Sequence, residues 1–127
     1  MPKPTHDDAQ IMLQLVQSWP EETEWIWSDD YVGDHDEFAR KYPGFGEQHS
    51  RLRATLNWYE TIGTLHKHGL LNEDLLFDWL AVYAVWDRVK DHALAIRRES
   101  GEPRMYENFE AMAEAQVRWS EEQRRAA

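Results

Sequence analysis

The clearest hydrophobic pattern lies in the second half of the chain, where apolar residues recur at spacings of three and four. One such stripe runs from about residue 47 to residue 68 and comprises Leu52, Leu56, Tyr59, Gly63 and His66. Gly69 follows it and suits the left-handed position that ends many helices. Asn72 suits the N-cap of a next helix, because acids follow it at positions 73 and 74. The sequence therefore predicts two helices joined by a short turn.

The second of these helices is predicted to run from about residue 73 to residue 98. Its apolar residues fall into two adjacent stripes, made of Leu75, Trp79, Val82, Trp86, Val89 and Ala93 and of Leu76, Leu80, Tyr83 and Leu94. A helix that is apolar over most of its circumference is expected in the centre of a bundle or against a second subunit. Gly101 ends it, and Pro103 is predicted to begin a last helix that runs to about residue 124.

The first half of the chain predicts shorter elements. Thr5, with Asp8 three residues later, has the spacing of a capping box before a helix over about residues 6–18. Pro20 ends that helix, and short helices are expected within residues 20–46. The predicted fold is all-α. It consists of one domain over residues 1–127, an antiparallel bundle of three long helices (about 47–68, 73–98 and 103–124) with the N-terminal helix and the short helices packed across it.

The net charge limits the classes of partner that the protein could bind. The net charge is −10, and residues 1–50 carry −8 of it because they hold eleven acids and three bases. This balance argues against nucleic-acid binding, which needs clustered Lys and Arg, and permits a basic protein partner. There is no cysteine, and the longest uncharged stretch, Trp79–Trp86, is much shorter than a membrane span. We therefore expect a cytoplasmic protein without a membrane partner.

The turn between the first two long helices carries two histidines and has the outline of a helix-turn-helix. The following helix reads NEDLLFDWLAVY, without Arg, Lys or Gln to reach DNA. His66 and His68 are two residues apart, so on a helix they point in different directions and cannot share a metal. His66 is expected to lie at the end of the bundle, and Asp87, Asp91 and His92 to face solvent. No cofactor is predicted.

Aromatic residues stand within an acidic segment. Residues 21–37 hold eight acids and no Lys or Arg. The candidate interaction residues here are Trp25, Trp27, Tyr31, Asp29 and Asp30. Two interpretations remain open. The tryptophans anchor a polar segment to the bundle, or they are interface hot spots ringed by acids. The second would suit a basic protein partner, still unidentified, or self-association.

The order LNWYETIG, HGLLNEDLLFDWL and VWDRVKDHALAIRRESGEPRMYENFEAMAE, over about residues 48–115, resembles a family of small bacterial and archaeal helical proteins known only as a domain of unknown function. The matching positions are Asn57, Trp58, Tyr59, Glu60, Ile62, Gly63, Gly69, Glu73, Trp86, Arg97, Tyr106, Phe109 and Glu110. The resemblance implies a helical fold and no established activity. It also implies that Glu60, Arg97 and Glu110 lie near the core, either as a partly buried ion pair that fixes helix order or as part of a pocket.

Two functions follow from these patterns. The first is a non-enzymatic protein–protein interaction or regulatory module. The alternative is a helical-bundle enzyme that binds a small molecule or a metal through Glu60, Asp78, Arg97 and Glu110. His66 joins these four as a candidate structural or pocket residue. The enzyme hypothesis predicts bound metal or ligand after purification and strongly shifted carboxylate titrations.

Overall fold

Helices account for all the regular secondary structure in the computed structural model, which describes residues 2–127. They are α1 (His6–Gln17), a 3₁₀ helix (Glu21–Trp27), α2 (His35–Lys41), α3 (Glu47–Lys67), α4 (Glu73–Trp79), α5 (Val82–Ser100) and α6 (Glu107–Ala126). The predicted all-α class is confirmed. No helix within the described residues is long and apolar enough to cross a membrane.

The three long helices pack together, with α6 against both α3 and α5. Their centre is aromatic. The rings of Tyr59 and Phe109 stack with centroids 4.9 Å apart, and Trp86 meets Phe109 edge-on at 5.0 Å. Such pairs add to the stabilisation that comes from burying these large rings. The 3₁₀ helix packs on α3, α2 on α5, and α1 on α4, so the N-terminal elements cover the bundle as predicted.

Local sequence signals determine several helix ends. Gly69 has a φ of 71°, and the N–H groups of Gly69 and Leu70 donate to the carbonyls of His66 and Leu65. This is the Schellman arrangement, in which a left-handed glycine lets the chain satisfy the last carbonyls of a helix. The Asn72 side chain accepts the N–H of Leu75 and begins α4. Thr5 and Asp8 form the predicted capping box.

The prediction of one continuous helix over residues 73–98 is wrong. The chain leaves the helix at Leu80, where φ is −109° and ψ is 122°. It then makes an inverse γ-turn at Ala81, whose φ is −82° and ψ 69°. Gln116 of α6 fills the break. Its Nε2 donates to the carbonyl of Leu80 at 2.7 Å, and its Oε1 accepts the N–H of Tyr83 at 2.7 Å. Apolar periodicity conceals the break because Leu80 stays buried within it.

The predicted start of the last helix at residue 103 is also wrong, because α6 begins at Glu107. Residues before it form turns, and Tyr106 has a φ of 60°. A non-glycine residue rarely adopts this left-handed conformation, and a right-handed helix cannot run through it. The helix must therefore start after Tyr106, and the preceding residues are held by contacts from α3 and α5.

Replacing Gln116 tests the helix break. In Gln116→Leu the buried side chain keeps its volume, but the N–H of Tyr83 loses its acceptor and the Leu80 carbonyl loses a donor. We expect the free energy of unfolding to fall by about 1–3 kcal/mol. The measurement is urea denaturation followed by circular dichroism. Gln123→Leu, on an exposed part of the same helix, should change stability by less than about 0.5 kcal/mol. Equal effects of both variants would contradict this role.

Candidate functional site

The start of α6 is capped by a side chain from another helix. Tyr106, at the N-cap position, makes no side-chain bond to the helix. Instead, Glu60 of α3 accepts the N–H groups of Asn108 and Phe109 at 3.0 and 2.9 Å, and the Asn108 side chain at 2.9 Å. A carboxylate at this end satisfies free N–H groups and faces the positive end of the helix dipole.

Gly63 allows the two helices to come close enough for this cap. A Cβ atom at position 63 would lie 2.5 Å from the carbonyl oxygen of Asn108 and 2.9 Å from the nitrogen of Phe109. Both atoms belong to backbone, so neither can move aside without shifting α6. Glu60 and Gly63 are three residues apart on α3 and therefore face α6 together.

Arg97 holds the chain just before α6. Its Nε donates to the carbonyl of Met105 at 2.9 Å, and its Nη2 lies 3.1 Å from a carboxylate oxygen of Glu110. The hydroxyl of Tyr106 donates to Asn57 at 3.3 Å, and burial raises the pKa of that phenol. The charged residues that the resemblance pointed out are thus engaged in joining α3, α5 and the turn before α6.

The remaining candidate pocket residues lie apart from this cap. Asp78 is exposed and lines a groove with Gln116 and Arg124. Gln116 is about 12 Å along α6 from Asn108, at 1.5 Å per residue. His66 lies 2.8 Å from a carboxylate oxygen of Glu73, so it links the end of α3 to the start of α4. Within residues 2–127, no group of three or more His, Asp or Glu side chains is arranged to hold a metal.

The 3₁₀ helix separates buried from exposed residues by its period of three. Side chains at i and i+3 eclipse each other in such a helix. Thr23 and Ile26 form the fully buried row. Glu21, Glu24 and Trp27 form the exposed one, which we call the acidic-aromatic row. The Trp27 side chain is 53% exposed.

Trp25 lies between these two rows and packs inward. It is 9% exposed, and its ring meets Tyr31 and Phe38 edge-on at 5.3 and 6.0 Å. Its position fits the anchor interpretation, whereas the exposed Trp27 fits the interface interpretation. The sequence pattern does not distinguish the two tryptophans, but their surroundings in the structure differ.

Arg88 of α5 holds the end of the 3₁₀ helix and Tyr31, which follows it. Its Nε donates to the carbonyl of Ile26 at 3.0 Å, and its guanidinium lies 5.3 Å from the centre of the Trp27 ring and 4.9 Å from that of Tyr31. The Tyr31 hydroxyl donates to the carbonyl of Arg88 at 2.7 Å. Burial raises the pKa of this hydroxyl, so it stays a donor at neutral pH. Asp29 and Asp30 remain exposed beside it.

A buried histidine pair is the feature that the sequence prediction missed. His92 was expected to face solvent, but it is 0% exposed. Its Nδ1 lies 3.0 Å from the Nδ1 of His35, although the two residues are 57 positions apart. The spacing Val85, Val89, His92 and Ile96 would have placed His92 on a buried stripe of α5. Its pairing with His35 has no local signal.

These features define a small helical bundle whose last helix is capped across the bundle and whose acidic edge carries an exposed tryptophan. The family model described as "Domain of unknown function (DUF4760)" matches residues 6–119. The chain belongs to this family, which confirms the resemblance seen over about residues 48–115 and extends it in both directions. No curated protein and no solved structure matches the chain.

Removing the cap tests the role of Glu60. In Glu60→Ala the N–H groups of Asn108 and Phe109 lose their acceptor, and α6 loses the negative charge at its start. We expect unfolding free energy to fall by about 1.5–3 kcal/mol, measured by urea denaturation. Glu114→Ala removes an exposed carboxylate from α6 and should cost less than about 0.5 kcal/mol. If Glu60→Ala costs no more than this control, the cap does not stabilise the fold.

Adding one methyl group tests the close approach at Gly63. In Gly63→Ala the new Cβ collides with the backbone of α6, so we expect a loss of about 1–3 kcal/mol despite the better helix propensity of alanine. Gly33→Ala is the control, because a Cβ there meets its nearest neighbour, the Arg88 carbonyl oxygen, at an ordinary 3.6 Å. Thermal unfolding should show a lower melting temperature for Gly63→Ala than for Gly33→Ala. An unchanged or stabilised Gly63→Ala protein would disprove the contact.

Proposed function

We propose that this protein is a non-enzymatic interaction module that binds a basic, extended segment of a partner protein along the acidic-aromatic row. The observation that carries the proposal is the alignment of Glu21, Glu24 and Trp27 on the solvent side of the 3₁₀ helix. Two carboxylates and an indole in a straight line present a repeated charge followed by an aromatic face. Such a surface suits a peptide with complementary groups at regular intervals.

The spacing of the row specifies the peptide. A 3₁₀ helix rises about 2 Å per residue, so successive members of the row are about 6 Å apart. In an extended peptide, alternate side chains point the same way and are about 6.6–6.8 Å apart. A segment with Lys or Arg at two alternate positions therefore places one charge opposite each carboxylate. A third such position falls over Trp27, where an apolar side chain is favoured because the Arg88 guanidinium already lies 5.3 Å from the ring centre.

Charge around the row supports the same partner. No Lys or Arg occurs between residues 21 and 39, and Glu22, Asp29 and Asp30 are exposed beside the row. Glu21 and Glu24 also line an open groove of about 650 Å³ that reaches Glu47. Arg51, at its edge, is already paired with Glu47. The resulting negative potential attracts a basic segment and repels an acidic one.

The enzyme alternative finds less support in the geometry. Glu60 is hydrogen-bonded to Asn108 and Phe109 at the start of α6. Arg97 bonds the Met105 carbonyl just before that helix, and Glu110 is paired with Arg97. Asp78 lies in a separate groove. Within the described residues, no buried side-chain polar atom lacks a hydrogen-bond partner, whereas a site waiting for substrate often leaves such groups free.

Peptide selection tests the proposed function. A random peptide library displayed on phage is selected against the wild-type protein, and an enriched peptide is titrated by fluorescence anisotropy. We expect Lys or Arg at alternate positions. Trp27→Ala and the double variant Glu21→Gln/Glu24→Gln should each weaken binding by about tenfold or more, and added salt should weaken it in the wild type.

Two controls make this result specific. Tyr83→Ala removes another half-exposed aromatic ring that is not part of the row and should leave binding unchanged. Thermal unfolding should show that Trp27→Ala remains folded, because its side chain is mostly exposed. Selected peptides without basic residues, or equal losses in Tyr83→Ala and Trp27→Ala, would contradict the proposal.

A further inference from the structure

The buried histidine pair connects the chain around α2 to α5. His92 Nε2 lies 2.9 Å from the carbonyl oxygen of Val32, and its Nδ1 lies 3.0 Å from His35 Nδ1. On the far side of the pair, His35 Nε2 lies 3.3 Å from a carboxylate oxygen of Glu99. Four groups therefore form one chain of contacts, which starts at a backbone carbonyl and ends at a carboxylate near the surface.

The hydrogen-bond roles along this chain limit how many protons the two histidines can carry. A carbonyl oxygen only accepts, so His92 Nε2 must carry a proton and donate it to Val32. In neutral His92 the Nδ1 atom is then an acceptor, so His35 Nδ1 must donate to it. The contact of His35 Nε2 with the Glu99 carboxylate is attractive when that nitrogen also carries a proton. The 3.0 Å contact between the two Nδ1 atoms therefore requires one of them to be without a proton, so it cannot form when both rings are charged.

We propose that this pair is a pH switch, in which protonation of both rings releases residues 31–42 from α5. We call these residues the α2 segment. A second proton on His92 must go to Nδ1, because Nε2 is already protonated. When His35 Nδ1 is protonated as well, two N–H groups face each other 3.0 Å apart, where one hydrogen bond stood before. Two imidazolium rings at this distance also repel each other, so the contact cannot survive.

The groups that face the pair come from every element around it. From α5 come Asp91, which accepts the backbone N–H of His35 at 2.8 Å, and Glu99. From the α2 segment come Tyr31, whose ring lies 5.9 Å from that of His92, and Asp34. The further neighbours are Arg88, beneath Tyr31, and His49 of α3, whose ring packs on Phe38 at 4.8 Å. The carboxylates favour a charged pair, whereas burial and the facing N–H groups oppose it.

Burial decides this competition for His92. It lowers the pKa of His92 from the ordinary value of 6.5, because a charged ring loses its hydration in the core. The bond to Val32 and the charges of Asp91 and Asp34 raise that pKa, and His35 lowers it, without reversing the direction. His92 therefore binds a proton more readily when the α2 segment is released than when it is docked. Docking is fully stable above about pH 6.5 and weakens as the pH falls below that value.

Release of the α2 segment should leave the rest of the protein folded. The α2 segment is attached to α5 by the histidine pair, by the bond from His35 to Asp91 and by the bond from Tyr31 to Arg88, together with the buried ring of Phe38. The aromatic contacts among α3, α5 and α6 use none of these groups. A protein can open one such unit while the rest stays folded.

Hydrogen exchange of the whole protein tests the switch. The informative amides are those of Phe38 and Tyr42, which donate to Asp34 and Phe38 within α2. After correction for intrinsic exchange, we expect their protection to fall by about tenfold or more between about pH 7.5 and pH 5, since each pH unit in this window changes the equilibrium up to tenfold. Amides of α3, α5 and α6 should keep their protection. Loss of protection over the whole chain, or none in the α2 segment, would overturn the proposal.

A variant and a spectrum separate this switch from general acid sensitivity. In His92→Gln the side chain no longer titrates but can still donate to Val32, so protection of the α2 segment should not depend on pH. His68→Gln, an exposed histidine, should behave as wild type. Because His92→Gln could itself loosen the segment, nitrogen NMR of the wild type at about pH 7.5 provides a second readout. We expect the Nε2–H tautomer of His92; the Nδ1–H tautomer would overturn the proposal.

The switch goes beyond the proposed interaction, and its tests use the protein alone. If peptide binding fails while the α2 segment still opens at low pH, only the interaction proposal is lost. If the peptide binds but opening is absent or independent of His92, only the switch is lost.

Discussion

The carboxylate of Glu60 at the start of α6 is the contact on which the arrangement of the bundle depends. Helix α6 lies against both α3 and α5, and its first turn has no cap of its own. One side chain from α3 supplies that cap, and the glycine one turn later brings the two backbones close enough for it to reach. Arg97 of α5 then holds the preceding turn. The register of all three long helices is therefore determined at one end of α6.

How much the sequence predicts depends on the distance between the groups involved. Thr5, Gly69 and Asn72 mark helix ends correctly because each acts on backbone within a few residues. The break at Leu80 is invisible because Gln116, which stabilises it, comes 36 positions later. The predicted helix packing and the family resemblance both indicate Glu60 as a candidate. Its role as a cap is not predicted, since a cap from another helix leaves no sequence pattern around the helix that it caps.

The candidate site also has features that the sequence predicts and features that only the tertiary structure shows. Acidic composition marked residues 21–37, but only the 3₁₀ period shows that Trp25 faces inward while Trp27 lines up with Glu21 and Glu24. A helix with 3.6 residues per turn would have rotated these three side chains away from one another. The pairing of His35 with His92 depends on tertiary structure alone. Its chemistry depends on a backbone carbonyl that fixes the position of one ring proton. The number of histidines in the sequence gives no indication of this contact.

The cap across the bundle also has a kinetic consequence. Glu60 and Asn108 are 48 residues apart in sequence, so the intervening chain must close into a loop before they meet. Closing such a loop costs entropy that local helix formation does not. The first turn of α6 should therefore gain its stability late in folding, after α3 has formed and α5 has docked. In a mutational analysis of the transition state, substitutions at Glu60 and Gly63 should speed unfolding more than they slow folding.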